Sequence, residues 1–268
     1  MTPARRLEGR AVVVTGSSTG IGEAIAAACA AQGARVMVHG RDAERTQRVA
    51  RELAGDAAAF VADLREPAAC AALIDETVQV FGRLDGVVNN AALTTRSDLA
   101  STSPELFDRL IAVNLRAPLL VIRAALAHLR AAGAGSVVNI GSLNAYCGEP
   151  DLLAYSMAKG ALMTMTRNLA NAHAGQGVRI NQLNVGWTLT ANEDALLQAE
   201  GYPSDWHRRV SPHYAPTGAL LTPEQVAKHV VHWLSRESEP VTGAVYEVEQ
   251  YPVLGRPCGV SRLVEPAS

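Results

Sequence analysis

Tyr155 and Lys159 stand four residues apart in Tyr-Ser-Met-Ala-Lys, inside a stretch at 152–174 whose pattern reads as helix. Residues at i and i+4 share a helix face, so the lysine ammonium can come beside the phenol hydroxyl. A phenol titrates near pH 10 in water, and a neighbouring cation favours its ionised form. Bringing such a group within reach of neutral pH asks for about 4 kcal/mol of differential stabilisation, which a partly dry site rich in positive charge can supply. Ser142 lies thirteen residues before the tyrosine, just after a strand-like run at 136–140. Its hydroxyl can donate to an oxygen on a reacting carbon and hold it near Tyr155. In isolation a Tyr-x-x-x-Lys pair is a contact on a helix surface. Ser142 upstream, and a phosphate cradle further upstream, turn it into proton transfer at a carbon–oxygen bond.

The cradle is Thr15-Gly16-Ser17-Ser18-Thr19-Gly20-Ile21-Gly22, placed where an apolar strand turns into an Ala-rich helix. Backbone N–H groups and the helix dipole gather there, and a pyrophosphate is what they hold. Gly16 permits the turn, Gly20 lets phosphates approach, Gly22 lets helix pack on strand, and Ser18, Thr19 and Ile21 complete the lining. The spacing TGxxxGxG differs from the commoner GxGxxG, and alone it also fits a tight connection. Two further pieces fall at strand ends, where open α/β sheets bind ligands: Asp63-Leu64, and Asn89-Asn90-Ala91-Ala92. Taken singly, these read equally well as a helix N-cap and an asparagine turn. Together they outline a dinucleotide site. At the tip of the second strand, Gly40 stands where an acidic residue would select NAD by its ribose hydroxyls, and Arg41 follows. A guanidinium there pairs with a 2′-phosphate, so NADP is favoured over NAD. Asp42 next to it, and Thr19 in place of a second basic residue, argue the other way.

The elements that must position these groups follow from hydrophobic periodicity. Apolar runs at 11–15, 35–39, 57–61, 84–88, 136–140, 178–184 and 244–248 read as strands buried on both faces. Helical patterns at 20–32, 42–54, 66–81, 103–131, 152–174 and 222–236 alternate with them. The expected fold is a single α/β domain over 1–268, Rossmann-type and doubly wound, with a mainly parallel seven-stranded sheet covered by helices on both faces. A chain of 268 residues with 48% hydrophobic content can bury such a core. The segment 188–221 breaks the rhythm with Pro203, Pro212 and Pro216 among Trp206, His207, His213 and Tyr214, and reads as a lid. An irregular tail is expected over 251–268. A net charge of -2 with scattered basic residues suggests neither nucleic acid nor an anionic membrane as partner. The four cysteines show no metal-ligand or CxxC spacing, so no metal site is expected. The polar start of the chain has no apolar run behind it, and a cytoplasmic location is the expectation.

From Gly9 to Val248 the chain resembles the short-chain dehydrogenase/reductase family, in its TGxxxGxG and YxxxK form. The resemblance implies an NAD(P)-dependent oxidoreductase interconverting a secondary alcohol and a ketone. It adds Asn114, in Ile-Ala-Val-Asn-Leu, to Ser142, Tyr155 and Lys159 as a catalytic tetrad. Tyr155 becomes the acid/base, Lys159 also binds the nicotinamide ribose, Ser142 orients substrate, and Asn114 holds a water in the proton relay. Asp63 is implied at the adenine, Asn90 and Ala91 near the ribose, and Gly186, Thr188 and Thr190 at the nicotinamide. Pairing of the two long helices into a homodimer or homotetramer is also implied. Three departures stand out: Ala92 replaces the family's glycine, Val185 precedes Gly186 in place of proline and predicts a looser turn, and Glu249-Gln250-Tyr251 replaces Asp-Gly-Gly.

By position the substrate wall comprises Ser142, Asn144, Glu149, Tyr155, Trp187 and Asn192, with Thr94 and Glu193 beside them and Trp206, His207 and Tyr214 from the lid. So polar a wall suits a small sugar, polyol or hydroxy acid better than a steroid or a long acyl chain. Two other readings stay open: a catalytically silent binding protein on the same scaffold, and epimerase or other non-redox chemistry.

Overall fold

The computed structural model describes residues 5–251. Ala11–Val14, apolar and mostly β-branched, form β1, and every one of them is buried. Val12 and Val14 enter one core layer while Ala11 and Val13 enter the other, as the period of two requires of a strand covered on both sides. The chain continues through α1 (Gly20–Ala31), β2 (Arg35–Gly40), α2 (Ala43–Glu52), β3 (Ala57–Val61), α3 (Pro67–Phe81) and β4 (Gly86–Asn89). Then follow α4 (Pro104–Ile111), α5 (Ala117–Ala131), β5 (Gly135–Ser142), the short α6 (Asn144–Cys147), α7 (Leu153–Ala172), β6 (Val178–Val185), α8 (Ala191–Ala199), α9 (Pro223–Leu234) and β7 (Val245–Val248).

The seven strands pair in the order β3-β2-β1-β4-β5-β6-β7, and every pair is parallel. The doubly wound α/β fold expected from the alternation is the fold found. Helices α1, α2 and α9 cover one face, with Ile25, Val49, Val226 and Val230 in that layer. Helices α3, α5 and α7 cover the other through Leu73, Ile74, Val121, Leu129 and Ala170. Strand order reverses between β1 and β4, so a crevice opens beyond their carboxyl ends, and this is the place where such sheets bind ligands. Buried Arg179 on β6 fastens α9 beneath, donating to the carbonyls of Trp233 at 3.1 Å and Ser235 at 3.0 Å and to the Ser238 hydroxyl.

Two expectations are corrected. The helix at 103–131 is not continuous: a π-helical turn at Ala112–Arg116 separates α4 from α5. Pro118 explains the break, because it has no N–H to offer the carbonyl of Asn114 four residues earlier, and its ring crowds that carbonyl. The segment 188–221 is not simply irregular either. It contains α8 and a single 3-10 turn at Trp206–Arg208, and it holds a small core of its own made by Leu197, Trp206, Ala215 and Leu220. Of the expected tail, only Tyr251 lies within the described residues.

Candidate active site

The loop after β1 is built so that backbone, not side chains, faces the crevice. Gly16 and Gly20 have φ of 63° and 59°, a region that a side chain disfavours. A Cβ on Gly16 would lie 2.7 Å from the Cα of Ala91, and one on Gly22 would strike the Gly16 carbonyl and the Asn90 amide. The loop is braced from β4: Asn90 Nδ2 donates to the carbonyls of Thr15 and Gly16 at 2.9 and 3.0 Å. Thr15 Oγ1 accepts the N–H groups of Asn90 and Ala91, each at 3.0 Å. The amide nitrogen of Asn90 is therefore committed to holding the cradle. From below, His39 Nδ1 accepts the Gly16 N–H at 3.1 Å, and its Nε2 meets the Ala62 carbonyl at 3.2 Å. Burial pushes His39 down to about 4, so it is neutral, the form that can accept from Gly16 while donating to Ala62. Sequence reasoning missed His39; its only signal was a polar residue in an otherwise apolar strand. A cradle this closely shaped for backbone approach fits a dinucleotide pyrophosphate.

Ser142 ends β5 and Tyr155 lies in the first turn of α7, and the two hydroxyls are hydrogen-bonded to each other. Ser142 Oγ also accepts the Asn144 N–H at 3.2 Å. Lys159, one turn further and 2% exposed, donates from Nζ to the Ile140 carbonyl at 2.7 Å and sits 5.6 Å from the centre of the Tyr155 ring. Burial pushes the Tyr155 phenol up to about 12, with the Ser142 hydrogen bond opposing and the Glu193 charge adding to the rise; burial lowers Lys159 to about 8. The direction for Tyr155 is opposite to that expected from a Tyr–Lys pair alone, because desolvation outweighs a cation engaged by a backbone carbonyl. In this state Tyr155 holds its proton.

These groups share one cleft of about 1020 Å³. Its walls include Gly16, Ser18, Thr19, Gly20, Ile21, Gly22, Arg41, Asp63, Leu64, Asn90 and Ala91 at one end. Ser142, Asn144, Glu149, Tyr155, Lys159, Gly186, Trp187, Thr188, Thr190 and Asn192 line the rest, as do Thr94 and Tyr214. Asn114 is not on the wall. It is buried in the π-turn, where Oδ1 accepts the Leu93 N–H at 3.0 Å and Nδ2 donates to the Leu93 carbonyl at 2.9 Å. Its side chain clamps the loop after β4, using one acceptor position and one N–H of its amide. Trp206 and His207 are not on the wall either: Trp206 is fully buried beneath the lid, stacked on Trp187 at 5.4 Å. Asn192 turns toward the cradle, donating to Thr19 Oγ1 at 3.4 Å. The turn after β6 is closed rather than loose. Gly186 donates to the Val248 carbonyl at 3.0 Å and accepts the Thr188 hydroxyl at 3.1 Å, and a Cβ on Gly186 would strike the Glu249 carboxylate. Arg96, His213, Glu249 and Tyr251 also line the cleft; the sequence placed His213 only in the lid segment and Glu249 and Tyr251 only in a departure from the family motif, and gave no signal for Arg96.

The sequence model of a family described as enoyl-(acyl carrier protein) reductase matches residues 16–250. Over 91% of this chain and 96% of the relative, the sequence is 36% identical to a 2-(S)-hydroxypropyl-CoM dehydrogenase of Xanthobacter autotrophicus. It is 32% identical to an NADP-dependent (R)-specific alcohol dehydrogenase of Lentilactobacillus kefiri, covering 91% of this chain and 96% of that one. The chain belongs to the short-chain dehydrogenase/reductase family. A crystal structure of a dehydrogenase/reductase from Sinorhizobium meliloti superposes on this short-chain dehydrogenase/reductase with a TM-score of 0.80 at 34% identity, covering 91% of this chain and 95% of that one. The protein is accordingly an NAD(P)-dependent oxidoreductase acting on CH–OH groups.

Proposed function

We propose that this enzyme interconverts a small polar secondary alcohol and its ketone with NADP(H) in preference to NAD(H). The observation that carries the reading is the meeting of Ser142, Tyr155 and Lys159 in the cleft that begins at the glycine cradle. Bound nicotinamide supplies or accepts the hydride, and the positioning and proton transfer fall to the protein. In ketone reduction Ser142 donates to the carbonyl oxygen, and Tyr155 gives that oxygen its proton as negative charge develops there. In alcohol oxidation the proton returns to Tyr155. Lys159, buried beside the ring, holds positive charge near the phenol and is the residue available to the cofactor ribose.

Three features at the tip of β2 support NADP. A Cβ on Gly40 would lie 2.6 Å from Ser18 Oγ and strike the Thr46 hydroxyl, so an acidic selector has no room there. Asp42, the residue that could have taken the ribose hydroxyls, is the N-cap of α2, accepting the Arg45 N–H at 3.0 Å with the Arg45 guanidinium at 3.7 Å. Arg41 lines the cleft, is exposed, and has no hydrogen-bond or ion-pair partner among the described residues. Its fork can meet a 2′-phosphate. Arg41→Ala should lower kcat/KM for NADP by at least about tenfold while changing that for NAD much less. A wild-type preference for NAD, or an unchanged ratio in the variant, would refute the assignment.

We place the enzyme in the cytoplasm, consistent with Cys29 and Cys70 being buried as thiols. We also propose a homodimer or homotetramer formed through α5 and α7, on which Leu119 and Met157 are exposed. Light scattering at micromolar protein reads that directly.

A further inference from the structure

The substrate end of the cleft carries a carboxylate that the proton transfer does not use. Glu193 lies in the first turn of α8, and Thr190 caps that helix by accepting the Glu193 N–H at 3.1 Å. An acidic side chain there is commonly explained by the helix dipole, but this one is aimed elsewhere. Its Oε1 accepts the Trp187 indole N–H at 3.1 Å, which fixes the carboxylate on the cleft wall. Trp187 is itself fixed by stacking on Trp206, whose indole donates to Asp194 at 2.9 Å. The other oxygen, Oε2, has no hydrogen-bond partner among the described residues. The charge is near enough to the Tyr155 hydroxyl to disfavour its ionisation.

The surroundings do not neutralise it. The cation nearest to it is Arg96, whose NH2 is 3.8 Å from Oε1. That guanidinium is already engaged more closely by Glu200 at 3.0 Å and Asp151 at 3.1 Å. One guanidinium therefore faces three carboxylates. On the cleft wall, a Glu193 carboxylate that shares its one cation with two other carboxylates disfavours an anion and attracts a hydrogen-bond donor, above all a cationic one.

We propose that Glu193 determines substrate specificity: it accepts a hydrogen bond from a hydroxyl or ammonium group carried on the substrate, so that polyols and amino alcohols are taken and hydroxy acids refused. This rests on the reading of the cleft as an alcohol oxidoreductase site. It narrows the class that the polar wall alone allowed, in which hydroxy acids were included.

The test compares kcat/KM for 2-butanol, 2,3-butanediol, 3-amino-2-butanol and 3-hydroxybutyrate with the full-length enzyme. In the wild type the diol and the amino alcohol should exceed 2-butanol by at least about tenfold, and the hydroxy acid should fall below it. Glu193→Gln keeps an acceptor for the Trp187 indole but removes the charge. It should cut the ratio of amino alcohol to 2-butanol by about tenfold and raise the ratio of hydroxy acid to 2-butanol, with the change in KM rather than kcat. Because the carboxylate opposes ionisation of Tyr155, the variant's alkaline limb of ketone reduction should also move to lower pH, which a purely structural role for Glu193 would not produce. A wild-type preference for the hydroxy acid, or unchanged ratios in the variant, overturns the proposal while leaving the oxidoreductase reading standing. No cofactor reduction with any of the four substrates sinks both.

Discussion

His39→Gln should flatten the acid limb of this enzyme's stability. The ring is 2% exposed and bonded at both nitrogens, and burial holds it at about 4 against an ordinary 6.5. A histidine whose folded value is depressed contributes its full stability above the unfolded value. As pH falls from 6.5 toward 4, the unfolded chain takes up a proton that the folded chain refuses, so stability declines across that window and levels off below it. At about 1.4 kcal/mol per pH unit over roughly 2.5 units, the loss is about 3 kcal/mol from this one group. Glutamine can accept from Gly16 and donate to Ala62 without titrating. Urea unfolding at pH 7.5, 6.5, 5.5 and 4.5, at fixed protein concentration, measures both proteins. The variant's offset at pH 7.5 is irrelevant; what matters is the divergence of slopes, since every other titrating group is shared. Curves that stay parallel from pH 6.5 to 4.5 would refute the argument that the cradle rests on a neutral buried histidine.

Tyr155→Phe should abolish turnover while cofactor binding survives, because it removes the proton donor and little volume; more than a few per cent of wild-type kcat, or a lost cofactor fluorescence signal, would contradict the assigned role. With Tyr155 raised by burial, ketone reduction in the wild type should hold through neutral pH and decline only in the alkaline range where alcohol oxidation increases. Asn139→Leu should cost about 2–4 kcal/mol by thermal or urea unfolding. Asn139 accepts from Asn89 at 2.8 Å and donates to Thr166 at 2.8 Å, and the Thr166 hydroxyl hydrogen is shared between the Leu162 carbonyl at 2.8 Å and Gln182 Oε1 at 3.1 Å, so the leucine orphans buried partners; a loss below about 1 kcal/mol would show that the chain of side chains is not cooperative.

Much of this protein was legible one segment at a time. Period-two and period-3.6 patterns are local, so the strands and most helices could be read directly, and the alternation of the two implied a parallel sheet. The TGxxxGxG loop, Ser142 and the Tyr155–Lys159 pair were legible because each works through a fixed spacing on one element. The order of strands on either side of β1 came only with the tertiary structure.

Tertiary structure decided what depends on groups distant in sequence. That Asp42 is taken up as the N-cap of α2 while Arg41 lines the cleft depended on how the helix docks at the strand tip. Asn114 was legible as a motif, but that its amide clamps Leu93, and that the π-turn around it comes from Pro118, were not. The ionisation of Tyr155 went opposite to expectation because spacing reports proximity to a cation, whereas desolvation is a property of everything packed around the group. Glu193 and Arg96, nearly a hundred residues apart, meet only when α8 folds over the loop after β4. A sequence determines which side chains exist and how local backbone presents them. Burial, and which donor finds which acceptor across the fold, are sums over the whole packed chain.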